Sequence, residues 1–511
     1  MTYNKAVLIS SANVIIDRPP AGLAFLAGIC EHNGLDYEIF DLNVFIKDIA
    51  GEETWKQIEV ISAFMEFTSD DPALLDLCDQ IANAAADQIV SYAPDLIAIT
   101  SLSHMQIAWT TRILQAIRER SSITIIAGGP GISYEQTIGK TAGKILAEKN
   151  LLDYYVLGEG DYVVDSFLKG RIESGVNHKD DLNEVWVPQL DNLDNVILPT
   201  YKKINFNNYG FYVDGVKLPP TINITGSRGC VRRCTFCDVG HLWKKFRFRS
   251  ADSIVSEIIK HFDETGCIEY FFNDSLINGS LKQFREVMER LSEVKEHRKE
   301  LQSIRYSGQF ILRPKEQHPE SIFELMKSSG CNHIQVGIES GSERVREHMG
   351  KKFSNDDITY HFEMCDKYGI KNFILMFTAY PTETLEDHQE TLDFYIKNQK
   401  YQINDTIIGT NLISPVVILK NTPLYHMSNE LGIEIHDTEY ANMSNWTSSS
   451  NPELTVKQRY KRYVELAILT TKLRYPKVTD ELVFLEINTE EIKKEIKRQS
   501  KSNIILLREE K

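Results

Sequence analysis

Short β-rich runs alternate with helical stretches from residue 5 to about 170, and again from 221 to about 413, an alternation that parallel sheets wrapped by helices satisfy. In the first stretch the strands fall at 5–10, 36–41, 95–100, 123–127 and 153–157. Its first helix opens on Pro19-Pro20, where a first turn tolerates proline, and sets Leu23, Leu26, Ala27 and Cys30 on one face at i, i+3, i+4 and i+7. Cys30 therefore reads as a core residue. Residues 53–92 read as an extra helical pair between the second and third strands. In the second stretch, strands at 221–225, 268–273, 304–310, 333–338, 372–377 and 407–413 alternate with helices such as 252–265, 281–295 and 384–397. Six such units suggest an open, partial (β/α) barrel with its chemistry at the strands' carboxyl ends.

A chain of 511 residues exceeds one ordinary domain. The pattern divides it into a doubly wound domain at 1–180, a polar, Asn/Asp-rich connector at 181–218, the barrel at 219–420 and an extension at 421–511, where 453–472 and 489–508 look helical. Lys and Arg number 57 against 72 Asp and Glu, a net charge of −15 that argues against non-specific binding of nucleic acid or anionic membrane. Three of the eight cysteines are clustered and the rest scattered in apolar patterns, which is no disulfide framework and suits a reducing compartment. There is no basic segment followed by a long apolar one at the start and no apolar run of about 18 residues. The expected location is the cytoplasm.

The clustered cysteines lie in Gly226-Ser227-Arg228-Gly229-Cys230-Val231-Arg232-Arg233-Cys234-Thr235-Phe236-Cys237, a CxxxCxxC loop. Three thiolates are one fewer than a closed metal site takes, and a cuboidal iron-sulfur cluster held by three cysteines keeps one iron open to a small molecule. The competing reading is a zinc tetrahedron from Cys230, Cys234, Cys237 and His241. Around the loop stand Arg228, Arg232, Arg233, Lys244, Lys245, Arg247 and Arg249, either a grip for phosphate or RNA or a set of charges offsetting a thiolate-rich cluster.

The loop resembles the signature of the radical S-adenosylmethionine (SAM) superfamily, including Phe236 before its last cysteine. The stretch Gly337-Ile338-Glu339-Ser340-Gly341-Ser342, followed by Met349-Gly350-Lys351-Lys352, resembles a second segment of that family. Phe373 to Thr384 resembles its fifth strand and following turn, with Ala379, Tyr380 and Thr382 where the family more often has glycine. The ordered set Pro19 to Ala27, Asp41-Leu42-Asn43, Ile99-Thr100-Ser101, Ala127-Gly128-Gly129-Pro130 and Gly158-Glu159-Gly160-Asp161 resembles the cobalamin-binding domain that precedes many members. Taken together the order is similar to that of the cobalamin-dependent radical SAM class.

This resemblance implies an N-terminal doubly wound, Rossmann-like cobalamin-binding domain, a partial (β/α)6 TIM-like radical SAM barrel and a mainly helical C-terminal extension. It implies a 4Fe-4S cluster on Cys230, Cys234 and Cys237, as metal ligands and as the catalytic centre, with SAM on the open iron. Reductive cleavage of SAM to a 5′-deoxyadenosyl radical, then cobalamin-dependent methyl transfer to an unactivated carbon, is the implied reaction. Phe236, Asp274, Arg313, Glu339 and Ser340 are implied contacts for SAM; Ser101, Gly128, Gly129 and Gly158 for cobalamin. His32 and His104 lack the Asp-x-His-x-x-Gly surroundings of a cobalt ligand, so cobalamin is expected without a histidine from this domain. Glu339 also fits a helix-capping role and Arg313 a surface ion pair. Tyr425, Tyr440 and Trp446 read either as substrate contacts or as ordinary core aromatics. The expected partners are a small-molecule or peptide substrate and a reductant such as flavodoxin or ferredoxin, with nucleic acid and a membrane span not expected. The alternatives are a radical SAM cyclase, rearrangement or oxidation enzyme without methyl transfer, and a zinc-stabilised RNA-binding protein.

Overall fold

The computed structural model describes residues 3–12, 18–61, 67, 69, 71–137, 139–210, 212–213, 216–217, 220–436 and 445–475. Tyr440 and the helix expected over 489–508 lie outside them. The chain forms two compact units, Met1–Thr225 with Arg247–Phe271, and Gly226–Phe246 with Phe272–Lys511.

In the first unit, β1 (Lys5–Ser10), β2 (Asp36–Asp41), β3 (Leu96–Thr100), β4 (Thr124–Gly128) and β5 (Tyr154–Val156) run parallel in the order β2-β1-β3-β4-β5. An antiparallel edge strand, β6 (Val176–His178), completes the sheet. Successive side chains of a strand face opposite ways, and β1 uses both faces. Val7 and Ile9 join one core with Cys78, Ile81, Trp109 and Ile113, whereas Ala6 and Leu8 join a second with Leu23, Ala27 and Cys30. The first core comes from α3 (Pro72–Ser91) and α4 (Ile107–Arg118), the second from α1 (Ala21–Asn33). A sheet so covered on both faces reads as continuous apolar runs, as β1 and β3 do. Cys30 is a core residue, and burial pushes its thiol up to about 12.

Two local details differ from expectation. Pro20 stands extended just before α1 (φ −60°, ψ 121°), so the prolines precede the helix instead of entering its first turn. The inserted pair begins earlier than residue 53, as α2 (Leu42–Ile61), bent at Gly51 (φ 75°), followed by α3. Residues from the polar segment after β6 are anchored in this unit, through Val187 N–H to Leu157 O (2.9 Å), Thr200 N–H to Ala24 O (3.0 Å) and the Tyr209 hydroxyl to Asp41 (2.8 Å). The unit also carries α5 (Asp161–Leu168), β7 (Thr221–Ile224), α6 (Ala251–Thr265) and β8 (Glu269–Phe272), whose last residue opens the remainder of the second unit.

The second unit contains α7 (Leu281–His297) and four parallel neighbours: β9 (Arg305–Phe310), β10 (Cys331–Glu339), β11 (Lys371–Thr378) and β12 (Ile407–Pro415). Helices α8 (Glu320–Ser329), α9 (Glu343–His348) with α10 (Asn355–Tyr368), and α11 (Leu385–Lys397) follow the first three of them in turn. Their starts are written in the sequence. Ser342, Ser354 and Thr384 each accept a backbone N–H three residues on, and Asp357 and Asp387 return the bond to the cap backbone. Asp387 also accepts the Ser342 hydroxyl at 2.6 Å, so one carboxylate ties the beginnings of α9 and α11 together. The architecture is the α/β one expected, a doubly wound unit followed by the strands of a partial barrel. Among the described residues of the extension it ends in α12 (Val456–Lys472).

Candidate active site

Cys230, Cys234 and Cys237 are free and half-buried on the loop that opens the second unit. The loop is held at its start by Asp274, whose carboxylate accepts Gly226 N–H at 2.8 Å and the Ser227 hydroxyl at 2.7 Å. Asp274 is buried, and these bonds turn it toward the loop backbone. Between the second and third cysteines, Thr235 is gripped three times. Its N–H donates to Met349 O (3.0 Å), its carbonyl accepts Leu424 N–H (2.7 Å), and its hydroxyl lies 2.8 Å from the Tyr380 hydroxyl. Cys237 N–H donates to Cys234 O at 3.1 Å, closing the turn. Burial pushes all three thiols up, Cys237 to about 12. The Arg232 N–H, 3.3 Å from Cys230 Sγ, and the Lys351 ammonium work the other way.

Lys351, which the sequence offered only as part of a segment resembling the radical SAM superfamily and without a role, stands beside the thiols. Its ammonium lies 2.9 Å from Glu339 Oε1 and 3.0 Å from Gly337 O, and 5.7 Å from the centroid of the Phe236 ring. Burial pulls this ammonium down, but the Glu339 carboxylate, with Cys234 and Cys237, more than offsets it and the pKa is raised. Glu339 reaches this position because the ladder between β10 and β11 shifts register between Gly337 and Glu339, and Glu339 itself takes a left-handed backbone (φ 68°). The cap of α9 is Ser342, so the Glu339 carboxylate is free of that duty. The signal available in the sequence was a lysine a short step beyond the strand end, which spacing alone does not distinguish from a surface lysine.

Arg313 pairs with no carboxylate among the described residues. Its Nη2 donates to Asn278 O (2.9 Å) and Gly279 O (2.8 Å), its Nη1 to Gln317 (3.2 Å), and its Nε is buried without a partner. Burial and then Arg232 lower its pKa, while Cys230 raises it, so the guanidinium shares its surroundings with the cysteine loop. Ser340 is buried with its hydroxyl engaged by Ser342 N–H (3.2 Å) and Thr391 (3.3 Å). Phe236 packs edge-on against Phe377, ring centroids 5.0 Å apart. Trp446 is fully buried, its indole N–H on Val416 O at 3.4 Å and Arg459 over its ring at 3.9 Å, so it is a core aromatic.

In the first unit, Ser101, Gly128, Gly129 and Gly158 come together at the carboxyl ends of β3, β4 and β5. Ser101 N–H donates to Gly128 O (3.0 Å), the Ser133 hydroxyl to Gly129 O (3.2 Å), and Gly158 N–H to that same hydroxyl (3.0 Å). Gly129 (φ 100°) passes so close to Ser101 that a Cβ would sit 2.4 Å from its carbonyl oxygen. At Gly128 and Gly158 an added Cβ would make ordinary contacts, its nearest atoms being Val156 at 3.7 Å and Trp186 at 3.5 Å. His104, on the loop after β3, stacks on Tyr134 at 5.4 Å.

Two members of the basic cluster are not surface charges. Arg247 is buried in a bidentate ion pair with Glu159, and Arg249 is buried with its Nη1 on Glu257. Both are structural, which removes them from any phosphate-binding patch.

The donor set fits a cuboidal cluster. Three thiols arise from one short loop, half-buried, with fixed positive charge from Lys351 beside them, and a cube takes each thiolate on a separate iron. Among the described residues no three His, Cys, Asp or Glu side chains are arranged around a single metal ion. Glycine at 128, 129 and 158 puts main chain without side chains at these strand ends, which suits close approach of a large planar ligand.

Residues 224–395 match the model of the Radical SAM superfamily. An uncharacterized methyltransferase of Pyrococcus horikoshii is 27% identical over 60% of this chain and 65% of its own length. The cytidylyl-2-hydroxyethylphosphonate methyltransferase of Streptomyces wedmorensis is 24% identical over 70% of this chain and 69% of its own. The chain thus spans about two thirds of the length of these relatives. Among solved structures, the radical SAM methyltransferase TsrM of Kitasatospora setae with cobalamin and a [4Fe-4S] cluster superposes with a TM-score of 0.62 at 15% identity, covering 97% of this chain and 99% of that one. The cobalamin-dependent radical SAM enzyme OxsB gives 0.63 at 16%, covering 92% and 67%. At such identities the likeness speaks for the fold.

Proposed function

We propose that this chain, whose residues 224–395 match the Radical SAM superfamily model, is a radical SAM enzyme and a cobalamin-dependent methyltransferase acting on an unactivated carbon of a small-molecule or peptide substrate. The observation that carries the reading is the presence in one chain of two features: a loop of three half-buried thiols beside the fixed charge of Lys351, and a set of glycines gathered at the carboxyl ends of a doubly wound sheet. The methyltransferases among its relatives support the same direction.

In this reading Cys230, Cys234 and Cys237 hold the 4Fe-4S cluster, and the functional division is 1–180 for cobalamin, 181–218 as connector, 219–420 for the radical chemistry and 421–511 as extension. When bound, these groups supply one-electron reduction of SAM and a methyl carrier. Lys351, its ammonium paired with Glu339, would sit beside the bound cluster as a fixed positive charge and partly offsets the burial that raises the Cys230 and Cys234 thiols. Arg313 keeps its guanidinium clear of carboxylates and offers it to the carboxylate end of SAM. Phe236, wedged on Phe377, shields the loop from water. Ser101, Gly128, Gly129 and Gly158 present main chain to the corrin and its tail. A flavodoxin or ferredoxin is the fitting electron donor, and a reducing cytoplasm the fitting place. Among the described residues no helix is long and apolar enough to cross a membrane.

Anaerobic reconstitution with iron, sulfide and hydroxocobalamin tests this directly. Iron and sulfide near four each with about one cobalt, and transfer of a labelled methyl group, are expected. A cluster without retained cobalt shifts the reading to a radical SAM cyclase, rearrangement or oxidation enzyme; zinc alone overturns it.

A further inference from the structure

The turn after β11 is held from the C-terminal extension. Glu383 Oε2 accepts Ala379 N–H at 3.0 Å, and Glu383 N–H donates to Tyr380 O at 2.7 Å, closing residues 379–383 into a compact bend. Arg462 of α12 donates to Glu383 Oε1 at 2.9 Å and to Glu383 O at 3.0 Å, and Asn451 donates to Pro381 O (3.1 Å) and Glu383 O (3.0 Å). Arg462 and Glu383 are both buried, so this pair is shielded from competing water. The bend leaves Tyr380 almost wholly buried, with its hydroxyl donating to His348 O at 3.3 Å and 2.8 Å from the Thr235 hydroxyl. With the tyrosine proton on His348 O, the Thr235 hydroxyl is the donor of the second bond.

We propose that Tyr380 is a positioning residue for the thiol loop, and that the C-terminal extension, which meets the loop directly at Leu424 N–H, also acts on it through this tyrosine: Arg462 and Asn451 set the bend, the bend sets Tyr380, and the Tyr380–Thr235 hydroxyl pair steadies the turn from Cys234 to Cys237. The inference rests on the reading that these cysteines ligate the cluster. It gives the extension a task in that site other than contact with substrate. Thr235 is the natural point of application, because it lies between two ligands and its backbone is already fixed at both N–H and C=O. The hydroxyl pair adds a third restraint, on the Thr235 side chain, which resists displacement of the turn that carries Cys234 and Cys237.

The test uses full-length protein and three variants, Tyr380→Phe, Thr235→Val and Thr235→Ser, with folding checked by circular dichroism. In metal-free protein, iodoacetamide alkylation of Cys234 and Cys237 is followed by peptide mass spectrometry, with Cys230 as internal reference. Loss of one buried hydrogen bond corresponds to a change of about two- to tenfold in local opening. Tyr380→Phe and Thr235→Val are each expected to quicken alkylation of Cys234 and Cys237 by that factor, Thr235→Ser to match the wild type, and the Tyr380→Phe/Thr235→Val double variant to be no faster than either single. In the reconstituted proteins the reduced-cluster EPR signal and midpoint potential shift in the first two variants and not in Thr235→Ser. Unchanged rates and spectra in Tyr380→Phe and Thr235→Val, or a Thr235→Ser variant as fast as Thr235→Val, overturn the proposal. If Tyr380→Phe does not fold, the valine and serine pair decides alone. A wild-type protein that takes up no iron and sulfide refutes the cluster reading, while the alkylation series still reports on the clamp.

Discussion

The Lys351 ammonium lies 2.9 Å from Oε1 of Glu339, with their side chains only 9% and 11% exposed, so the ion pair is made out of reach of bulk water. Removing one partner from such a pair leaves the other buried and uncompensated, at a cost of about 3–5 kcal/mol. Lys351→Met is therefore expected to lower the urea stability of metal-free protein by that amount, and adding Glu339→Gln to recover more than half. A Lys351→Met loss below about 1 kcal/mol would show the pair to be loosely held.

Cys234→Ala removes the central thiol of the loop. Production of 5′-deoxyadenosine from SAM by the reconstituted enzyme is expected to fall by about a hundredfold or more, with reduced iron content and an unchanged circular dichroism spectrum. Cleavage at the wild-type rate in a folded variant contradicts the ligand assignment.

Gly129→Ala places a methyl group 2.4 Å from Ser101 O at a backbone φ of 100°. The main chain has to shift, which is expected to destabilise the first unit by about 2–3 kcal/mol. The cobalt-to-protein ratio after reconstitution drops with it. Full retention of cobalamin in a stably folded Gly129→Ala protein would remove this strand end from the binding site.

Two buried histidines make the protein acid-sensitive. Burial, with His361 adding to it, pulls His318 down to about 3, and burial pulls His361 down to about 4. In the unfolded chain both titrate near 6.5. Below that value the unfolded state takes up protons that the folded state refuses, so stability falls as the pH drops from 6.5 toward 4. Between pH 7 and 5 each histidine is expected to remove about 2 kcal/mol. Urea midpoints measured across this range check it, and His361→Gln should flatten the slope.

The sequence carried the elements that depend on near neighbours. Every core strand of both units falls within a few residues of its expected span, because apolar runs and capping residues such as Ser354 and Thr384 act over three or four positions. Cys30 was legible as core for the same reason. What depended on distant partners was not. Arg247 and Arg249 read as loop charges because nothing local announces Glu159, 88 positions away, or the depth at which Arg249 meets Glu257. Lys351 acquires its place only through the register shift before Glu339, which no periodicity encodes. Asp274 was read for its location at a strand end, whereas its partners Gly226 and Ser227 lie 48 and 47 positions earlier.

Ala379 stands where the radical SAM segment it resembles more often has glycine, and its backbone is left-handed, at φ 63°. An alanine there costs about 1–2 kcal/mol that glycine would avoid, and the Glu383 carboxylate on its N–H helps hold it in place. The position thus takes a backbone that favours glycine while carrying alanine. Scored by residue identity, this bend counts as a mismatch; traced as a curve in space, it is the bend a glycine would make. Ala379→Gly should accordingly relieve the backbone while giving up one buried methyl group, so that the two effects largely offset and stability changes little.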